Sequence, residues 1–380
     1  MPAPETGVKI VTVVGARPQF IKAAVVSRAI AEYNKSLTEN ELLIHEIILH
    51  TGQHYDAEMS VIFFQEMEIP RPDYFLNING SSHGIMTGQM LAEIETILLE
   101  EKPDWVLVYG DTNSTLAGAL AASKLHMPIA HVEAGLRSYN RRMPEEINRV
   151  LTDHLSTVLF CPTKTAVANL VKEGITGNQS TIYQVGDVMY DASLIFKSFA
   201  RKPGFDLPDK FILATLHRAE NTDDKDRLTT ILTSLGEISK TTPIVLPIHP
   251  RTRKKIAEAG IIIDPAIIVV KPVSYLVMLY LLDHCQLIMT DSGGLQKEAY
   301  FCAKPCITLR DETEWVELVE VGVNALVGAD SNLLLNKWKT FVDATFNFET
   351  NLYGQGNTGQ EIVRRLCEVS FEITDSLAKR

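Results

Sequence analysis

Seven short clusters of Gly, His, Arg, Asp and Glu hold most of the residues of this chain that could do chemistry. They are Gly15-Ala16-Arg17-Pro18, Thr51-Gly52-Gln53-His54, Gly110-Asp111-Thr112-Asn113, His131-Val132-Glu133-Ala134-Gly135-Leu136-Arg137, Thr215-Leu216-His217-Arg218, His249-Pro250-Arg251 and Thr290-Asp291-Ser292-Gly293-Gly294. Carboxylates and histidines suit general acid–base work, and Asp111, Glu133, Glu145 and His217 are the candidates. Each also has a bland reading. Asp111 can be a helix N-cap, Glu133 a buried carboxylate paired with Arg137, and His217 a satisfied core histidine; Glu145 and Glu146 can be first-turn helix acids after Pro144. Ser292-Gly293-Gly294, ahead of a helical stretch at 295–299, has the form of an anion site. Small residues let backbone N–H groups approach a phosphate, and a helix N-terminus favours negative charge. A simple N-cap by Asp291 or Ser292 is the alternative. Arg17, just before a Pro that suits the first helical turn, and Lys22 are a second candidate anion contact, or else solvated surface charges.

Other chemistries fail on spacing. Gly354-Gln355-Gly356-Asn357-Thr358-Gly359 matches G-x-G-x-x-G, but no clear strand precedes it, so it reads as a loop and helix cap. A Walker A pattern is absent. His131-Val132-Glu133 has the H-x-E of zinc deaminases, yet no P-C-x-x-C follows. Thr290-Asp291-Ser292-Gly293-Gly294 is not a G-x-S-x-G elbow. His217 and His249 lie in separate clusters without metal-ligand spacing. The five cysteines, Cys161, Cys285, Cys302, Cys306 and Cys367, form no C-x-x-C pair.

The elements that must position these residues are legible as alternating patterns. Strand-like runs fall at 8–14, 45–50, 105–109, 129–132 and 158–161, with helical spacing at 20–33, 87–101 and 114–125. Short Val- and Ile-rich runs separated by helices predict a parallel sheet covered on both faces. After a breaker-rich linker at 198–209, with Lys202-Pro203-Gly204 and Leu207-Pro208-Asp209, the pattern restarts. Strands are expected at 211–214, 244–248, 267–270, 287–289, 306–308 and 325–327, and helices at 226–239, 276–282 and 294–301. The fold class is therefore α/β, with two doubly wound Rossmann-like domains facing a cleft. Ligands of open α/β sheets sit outside the carboxyl ends of the strands, where nearly all the clusters fall, so one shared site between the domains is expected.

Composition narrows the classes of function. The chain has 380 residues, 46% hydrophobic and 22% charged, with a formal net charge of −11. Such a chain lacks the basic field that nucleic acid or an anionic membrane requires. Its longest apolar stretch, 273–282, is well short of a membrane span. The polar N-terminus has no apolar leader segment, and the odd cysteine count fits reduced thiols, so a cytoplasmic protein is expected. Asn178-Gln179-Ser180 is a glycosylation sequon by pattern only.

Taken together, several segments resemble the non-hydrolysing UDP-N-acetylglucosamine 2-epimerase family. They are G-A-R-P-Q-F-I-K at 15–22, T-G-Q-H at 51–54, G-D-T at 110–112, H-V-E-A-G-L-R at 131–137, P-E-E-I-N-R at 144–149, L-H-R at 216–218 and T-D-S-G-G-L-Q-K-E at 290–298. The likeness runs in order from residue 8 to about residue 365. It implies a fold like the two-domain GT-B glycosyltransferases, with domains at 1–195 and 196–361 and a C-terminal helix, about 362–380, crossing back to the first. It implies a UDP-sugar substrate, a homodimer, and no metal or nicotinamide cofactor. UDP would be eliminated across C1 and C2 of the sugar and added back with C2 inverted, in surface polysaccharide precursor synthesis. By the same likeness Arg17, Lys22, Ser292, Gly293 and Gly294 would hold the diphosphate, with His249 lining that pocket and Glu298 holding the ribose. Asp111 and Glu145 would be the acid–base pair at C2. Glu133 would handle sugar hydroxyls or the departing oxygen, and His217 would support the diphosphate.

The chain departs from the commoner family pattern at Ala16 and Gln19, in His217-Arg218-Ala219-Glu220-Asn221, and in Thr313-Glu314-Trp315-Val316-Glu317, where Trp315 replaces an Arg. These variants look more like the subgroup acting on UDP-2,3-diacetamido-2,3-dideoxy-glucuronate. Tyr55 also stands where an Arg is usual beside the family's activator site, so the resemblance does not carry allostery over to this chain. A GT-B glycosyltransferase and a non-catalytic UDP-sugar sensor are the rival readings. The first would need an acceptor, and the second would not need Asp111.

Overall fold

A computed structural model describes residues 7–38, 42–53, 70–177, 180–349 and 351–378; the side chains of Arg17 and of 371–378 lie outside the description, as do His54, Tyr55, Asn178 and Gln179. The chain forms two compact units, one of residues 1–192 with 351–380, the other of residues 193–350.

The first unit holds a seven-stranded parallel sheet. Its strands are β1 (Gly7–Val14), β2 (Leu43–His50), β3 (Tyr74–Phe75), β4 (Trp105–Tyr109), β5 (Ile129–Val132), β6 (Val158–Cys161) and β7 (Thr181–Gln184), in the order β3-β2-β1-β4-β5-β6-β7. Central strands such as β4 and β5 are buried at every residue because helices cover both faces. Val11, Val13, Val106 and Val108 pack there against Met90, Ile94 and Ala117 from the helices His83–Glu101 and Asn113–Lys124. The short edge strand β3 and the half-exposed edge strand β7 were not legible as apolar runs, because an edge strand covered on only part of its surface needs few apolar residues. The helix Thr358–Ala378 packs on the helix Arg17–Lys35, with Gly359 against Val25. Trp105 Nε1 donates to Ser370 Oγ at 2.7 Å in the same layer. The glycines at 354 and 356 both have positive φ in the loop before that helix, which is the loop-and-cap reading rather than a βα turn.

The second unit repeats the design with β8 (Ile212–Thr215), β9 (Ile244–Pro247), β10 (Ile267–Val270), β11 (Leu287–Thr290), β12 (Cys306–Thr308) and β13 (Asn324–Leu326). All are parallel, in the order β10-β9-β8-β11-β12-β13. Its core joins Ile212, Ala214, Leu246 and Met289 to Leu228, Ile231 and Leu235 of the helix Lys225–Ser239. The helix Pro250–Glu258 escaped the sequence reading because it buries only Thr252 and Ile256 and is otherwise polar.

Strand order decides where a ligand can sit. In the first sheet the winding reverses between β1 and β4, and in the second between β8 and β11. A doubly wound sheet opens a crevice at the carboxyl ends of such a pair. Gly15 and Gly110 follow the first pair; Leu216 and Asp291 follow the second. Among the described residues no helix is long and apolar enough to cross a membrane.

Candidate active site

At the β1–β4 switch one amide holds both strand ends. Gln19 Oε1 accepts from the N–H groups of Gly15 and Ala16, each at 2.9 Å, while Nε2 donates to the Tyr109 carbonyl and Thr115 Oγ1, each at 2.9 Å. Every hydrogen-bonding position of this buried side chain is used, and a glutamate there could not donate to Tyr109. Beside it, at the end of β2, His50 Nδ1 accepts from Gly52 N–H at 2.8 Å, and burial pushes this ring's pKa from 6.5 down to about 4. The folded protein therefore holds His50 neutral while the unfolded chain takes the proton first. Burial of this ring therefore costs nothing through proton linkage above pH 6.5, and the penalty builds as pH falls from 6.5 to about 4, reaching about 3 kcal/mol. Acid denaturation of His50→Gln, followed by circular dichroism, should begin at lower pH than in the parent.

The candidate carboxylates of this unit gather around Gly110. Lys22 Nζ forms an ion pair with Glu133, and both side chains are nearly buried. The pair lies over Gly110, where a Cβ would meet Lys22 Nζ at 3.2 Å and Glu133 Oε2 at 3.3 Å. Glu133 is therefore partnered by Lys22, whereas Arg137 binds Asp153 and Glu173. Asp111 is not the N-cap of the following helix; Thr112 is, accepting from Thr115 N–H. Asp111 Oδ2 instead accepts from Arg149 Nη2 at 2.5 Å, and its carbonyl accepts from Asn148 Nδ2 at 2.9 Å. Arg149 sits on the helix Pro144–Leu155 one turn beyond Glu145, so the two share a face. The adjacent acids divide. Glu146 is buried and takes the N–H groups of Ser138 and Tyr139, whereas Glu145 is half-buried in the first turn.

Backbone strain marks the same spot. Glu133 has φ +73°, uncommon for a residue with a side chain, and both its N–H and that of Ala134 donate to the Phe160 carbonyl at 3.1 and 3.0 Å. Gly135 follows at φ +79°, where a Cβ would run into the Ala166 carbonyl. Gly135→Ala should cost about 3 kcal/mol or more, because strain and a backbone clash coincide. Urea denaturation measures that loss.

In the second unit, a buried carboxylate organises the turn. Asp291, at the end of β11, accepts from the N–H groups of His217 (3.0 and 3.1 Å) and Arg218 (2.9 Å) after β8. His217 Nδ1 lies 3.4 Å from Asp291 Oδ1. Its ring keeps 47% of its surface open, yet the density of protein around it lowers its pKa. Asp291 pulls the other way, while Arg218, His249 and Arg251 reinforce the lowering. This ring is thus a surface-accessible group rather than a core histidine. His249 is the N-cap of the helix Pro250–Glu258, accepting from Arg251 N–H at 3.3 Å, and Thr252 Oγ1 ties that helix to the Leu216 carbonyl at 3.0 Å.

Ser292 caps the helix Gly293–Phe301 through Leu295 N–H, so the capping reading is correct for it. Capping leaves the anion reading open, since two guanidinium groups stand beside this turn together with the carboxylate that pairs with one of them. A Cβ on Gly293 would lie 3.6 Å from Glu314 Oε2, 3.7 Å from Arg218 Nη2 and 3.8 Å from Arg310 Nη1, and nothing approaches Gly294. Arg310 is buried and bound to Glu314 at 2.9 Å. Glu298 is buried one turn along from Gly294 on the same helix face. Trp315, in place of the Arg of the commoner pattern, lies buried with its ring 4.1 Å from Lys297 Nζ.

Lys22, Asp111, Glu133 and Glu145 thus cluster on the first unit, and His217, His249, Ser292, Gly293, Gly294 and Glu298 on the second; the Arg17 side chain lies outside the description. Sequence reasoning did not single out Gln19, Arg149, Asp153 or Asp291 as positioning groups, nor Arg310 as a cation beside Gly293. Arg149 carried the one usable signal, its spacing of four from Glu145.

The family profile described as UDP-N-acetylglucosamine 2-epimerase matches residues 35–367. A UDP-2,3-diacetamido-2,3-dideoxy-D-glucuronate 2-epimerase of Pseudomonas aeruginosa is 55% identical over 363 residues, which is 95% of this chain and 100% of that protein. The crystal structure of the Methanocaldococcus jannaschii UDP-GlcNAc 2-epimerase in complex with UDP-GlcNAc and UDP is 45% identical. It superposes with a TM-score of 0.87 over 94% of this chain and 99% of its own. A UDP-GlcNAc 2-epimerase from Neisseria meningitidis bound to UDP-GlcNAc superposes with a TM-score of 0.81 at 33% identity, covering 95% of this chain and 100% of its own. Two doubly wound units of the GT-B-like kind, a carboxylate cluster at one sheet's switch point and matching sequence along nearly the whole chain lead to one conclusion: the chain belongs to the UDP-N-acetylglucosamine 2-epimerase family and is a sugar 2-epimerase.

Proposed function

We propose that the protein inverts C2 of a UDP-activated 2-acetamido sugar of the UDP-GlcNAc type by eliminating UDP and adding it back. The observation that carries this reading is the pairing of two acids with two cations around Gly110, Asp111 with Arg149 and Glu133 with Lys22. A base takes the C2 proton, its electron pair forms the C1–C2 double bond, and the C1–oxygen bond breaks to release UDP. The UDP oxygen then returns to C1 while an acid delivers a proton to the opposite face of C2. In this reading Asp111 and Glu145 handle the two protons, and Glu133 serves the sugar hydroxyls or the departing oxygen.

His217 supports the diphosphate beside His249, and the charge leaving with it is stabilised by Ser292, Gly293 and Gly294 together with Lys22 and Arg17. Arg218, beside Gly293, favours an anion at that turn, whereas Arg310 is paired with Glu314. Glu298 takes the ribose hydroxyls. Family likeness supports a cytoplasmic homodimer.

A second reading concerns the sugar alone. Trp315 in place of an Arg, together with the 55% identity to the Pseudomonas aeruginosa enzyme, favours UDP-2,3-diacetamido-2,3-dideoxy-glucuronate as substrate. Proton NMR in D₂O with each sugar nucleotide tests both readings. Deuterium at C2 with appearance of the manno epimer supports the reaction, and the faster substrate identifies the sugar. Absence of exchange with both sugars, or turnover only when an acceptor is added, would overturn it in favour of a glycosyltransferase.

A further inference from the structure

We infer that Asp153, acting through His131, is the positioning residue that holds Asp111, Glu133 and Glu145 in one arrangement. This rests on the acid–base reading above. His131 lies on β5, wholly buried, with Nε2 2.7 Å from the Gly110 carbonyl and Nδ1 2.7 Å from Asp153 Oδ1. A carbonyl oxygen only accepts, so Nε2 carries a hydrogen; a carboxylate only accepts, so Nδ1 carries one too. The ring is therefore held as a cation between Gly110 and Asp153. The second oxygen of Asp153 accepts from Gly135 N–H at 3.1 Å and from Arg137 Nη1 at 2.7 Å, and Arg137 makes a two-pronged pair with Glu173 at 2.7 Å for each bond.

The charges alternate along this chain of contacts, from His131 through Asp153 and Arg137 to Glu173. Two further titratable groups face it. His154 Nε2 stands 4.0 Å from Glu173, and Cys161, whose thiol burial pushes well up and so keeps neutral, lies beside Asp153. Burial alone would raise the Asp153 pKa, but His131 and Arg137 outweigh it and keep the group ionised.

Three elements are referenced to this single carboxylate. Through His131 it fixes the Gly110 carbonyl, one residue before Asp111, where Gly110 has φ +61°. Through Gly135 and Arg137 it clamps the turn that holds Glu133 at positive φ. Its own helix, Pro144–Leu155, carries Glu145 and also Arg149, the partner of Asp111. Placement errors of about 1 Å cost about 10²-fold in rate, so a carboxylate with these reaches sets the rate without touching the sugar.

Steady-state kinetics of Asp153→Asn and His131→Gln, with Asp111→Asn as control, test this. The expected result is a kcat lower by about 10²-fold, KM within about threefold, and an altered pH–rate profile in folded protein. A folded Asp153→Asn enzyme with kcat within about threefold of the parent would overturn the inference. Should these variants not fold, ¹⁵N-histidine NMR of the parent protein near neutral pH decides. Both His131 ring nitrogens protonated supports the inference, and a neutral ring overturns it. If Asp111→Asn itself retains full kcat, the acid–base reading has failed. If Asp111→Asn is inactive while folded Asp153→Asn and His131→Gln are not, only the positioning role has failed.

Discussion

Asp111→Asn should lower kcat by about 10²–10⁴-fold, the range of a positioned acid–base group, while leaving the fold intact. The side chain keeps 30% of its surface exposed and is ion-paired with Arg149 at 2.5 Å. An asparagine oxygen still accepts from that guanidinium, so the local geometry survives and only proton transfer is lost. UDP affinity should change far less than kcat, because Asp111 is not itself among the groups proposed to bind the nucleotide. Measuring kcat, C2 deuterium exchange and UDP binding on one preparation separates these effects. A variant that exchanges C2 at the parental rate would remove Asp111 from the chemistry.

Lys22→Met should lower both stability and activity. Lys22 and Glu133 keep only 11% and 8% of their side-chain surfaces exposed, so removing the cation leaves a largely desolvated carboxylate without its lysine. Truncating one member of such a pair costs about 3 kcal/mol, a melting shift of about 6–12 °C for a unit of this size. Adding Glu133→Gln should recover much of that loss, since the double variant no longer buries a charge, yet neither variant should epimerise. Differential scanning calorimetry of the parent, both single variants and the double variant gives the coupling directly. If Lys22→Met melts with the parent, the pair carries no stability and Lys22 serves the ligand alone.

Both results depend on residues the sequence made visible to different degrees. β4, β5, β6 and β12 were readable to the residue because buried parallel strands appear as unbroken apolar runs, and the half-buried edge strand β10 because all four of its residues are Ile or Val. The polar clusters at the ends of β1, β2, β4, β5, β8, β9 and β11 were readable for the same reason, since a turn at a carboxyl end interrupts the run. Asp111 and Glu133 stood out as carboxylates in those turns, but not their partners. Lys22 pairs with Glu133 across 111 positions and Arg149 with Asp111 across 38. Such pairings depend on strand order, which periodicity does not encode. Asp153 was hidden more deeply. On a helix with Glu145 and Glu146 in its first turn it looks like one more surface acid, and only the crossing of β5 beneath that helix makes it a buried hub. Glu146 shows the converse, a residue as acidic and as close to the site as Glu145 but committed to the backbone of Ser138 and Tyr139.

The central claim is that the C1–oxygen bond of the sugar nucleotide breaks and re-forms during epimerisation. A UDP-sugar carrying ¹⁸O in the bridge between C1 and the β-phosphorus tests it most directly, read by ³¹P NMR as the label moves. Elimination frees the β-phosphate to rotate, so the account predicts that the label scrambles into non-bridging positions at a rate comparable with appearance of the C2 epimer. Epimerisation with the label held in the bridge would contradict it, because the sugar would then have been inverted without UDP ever leaving C1.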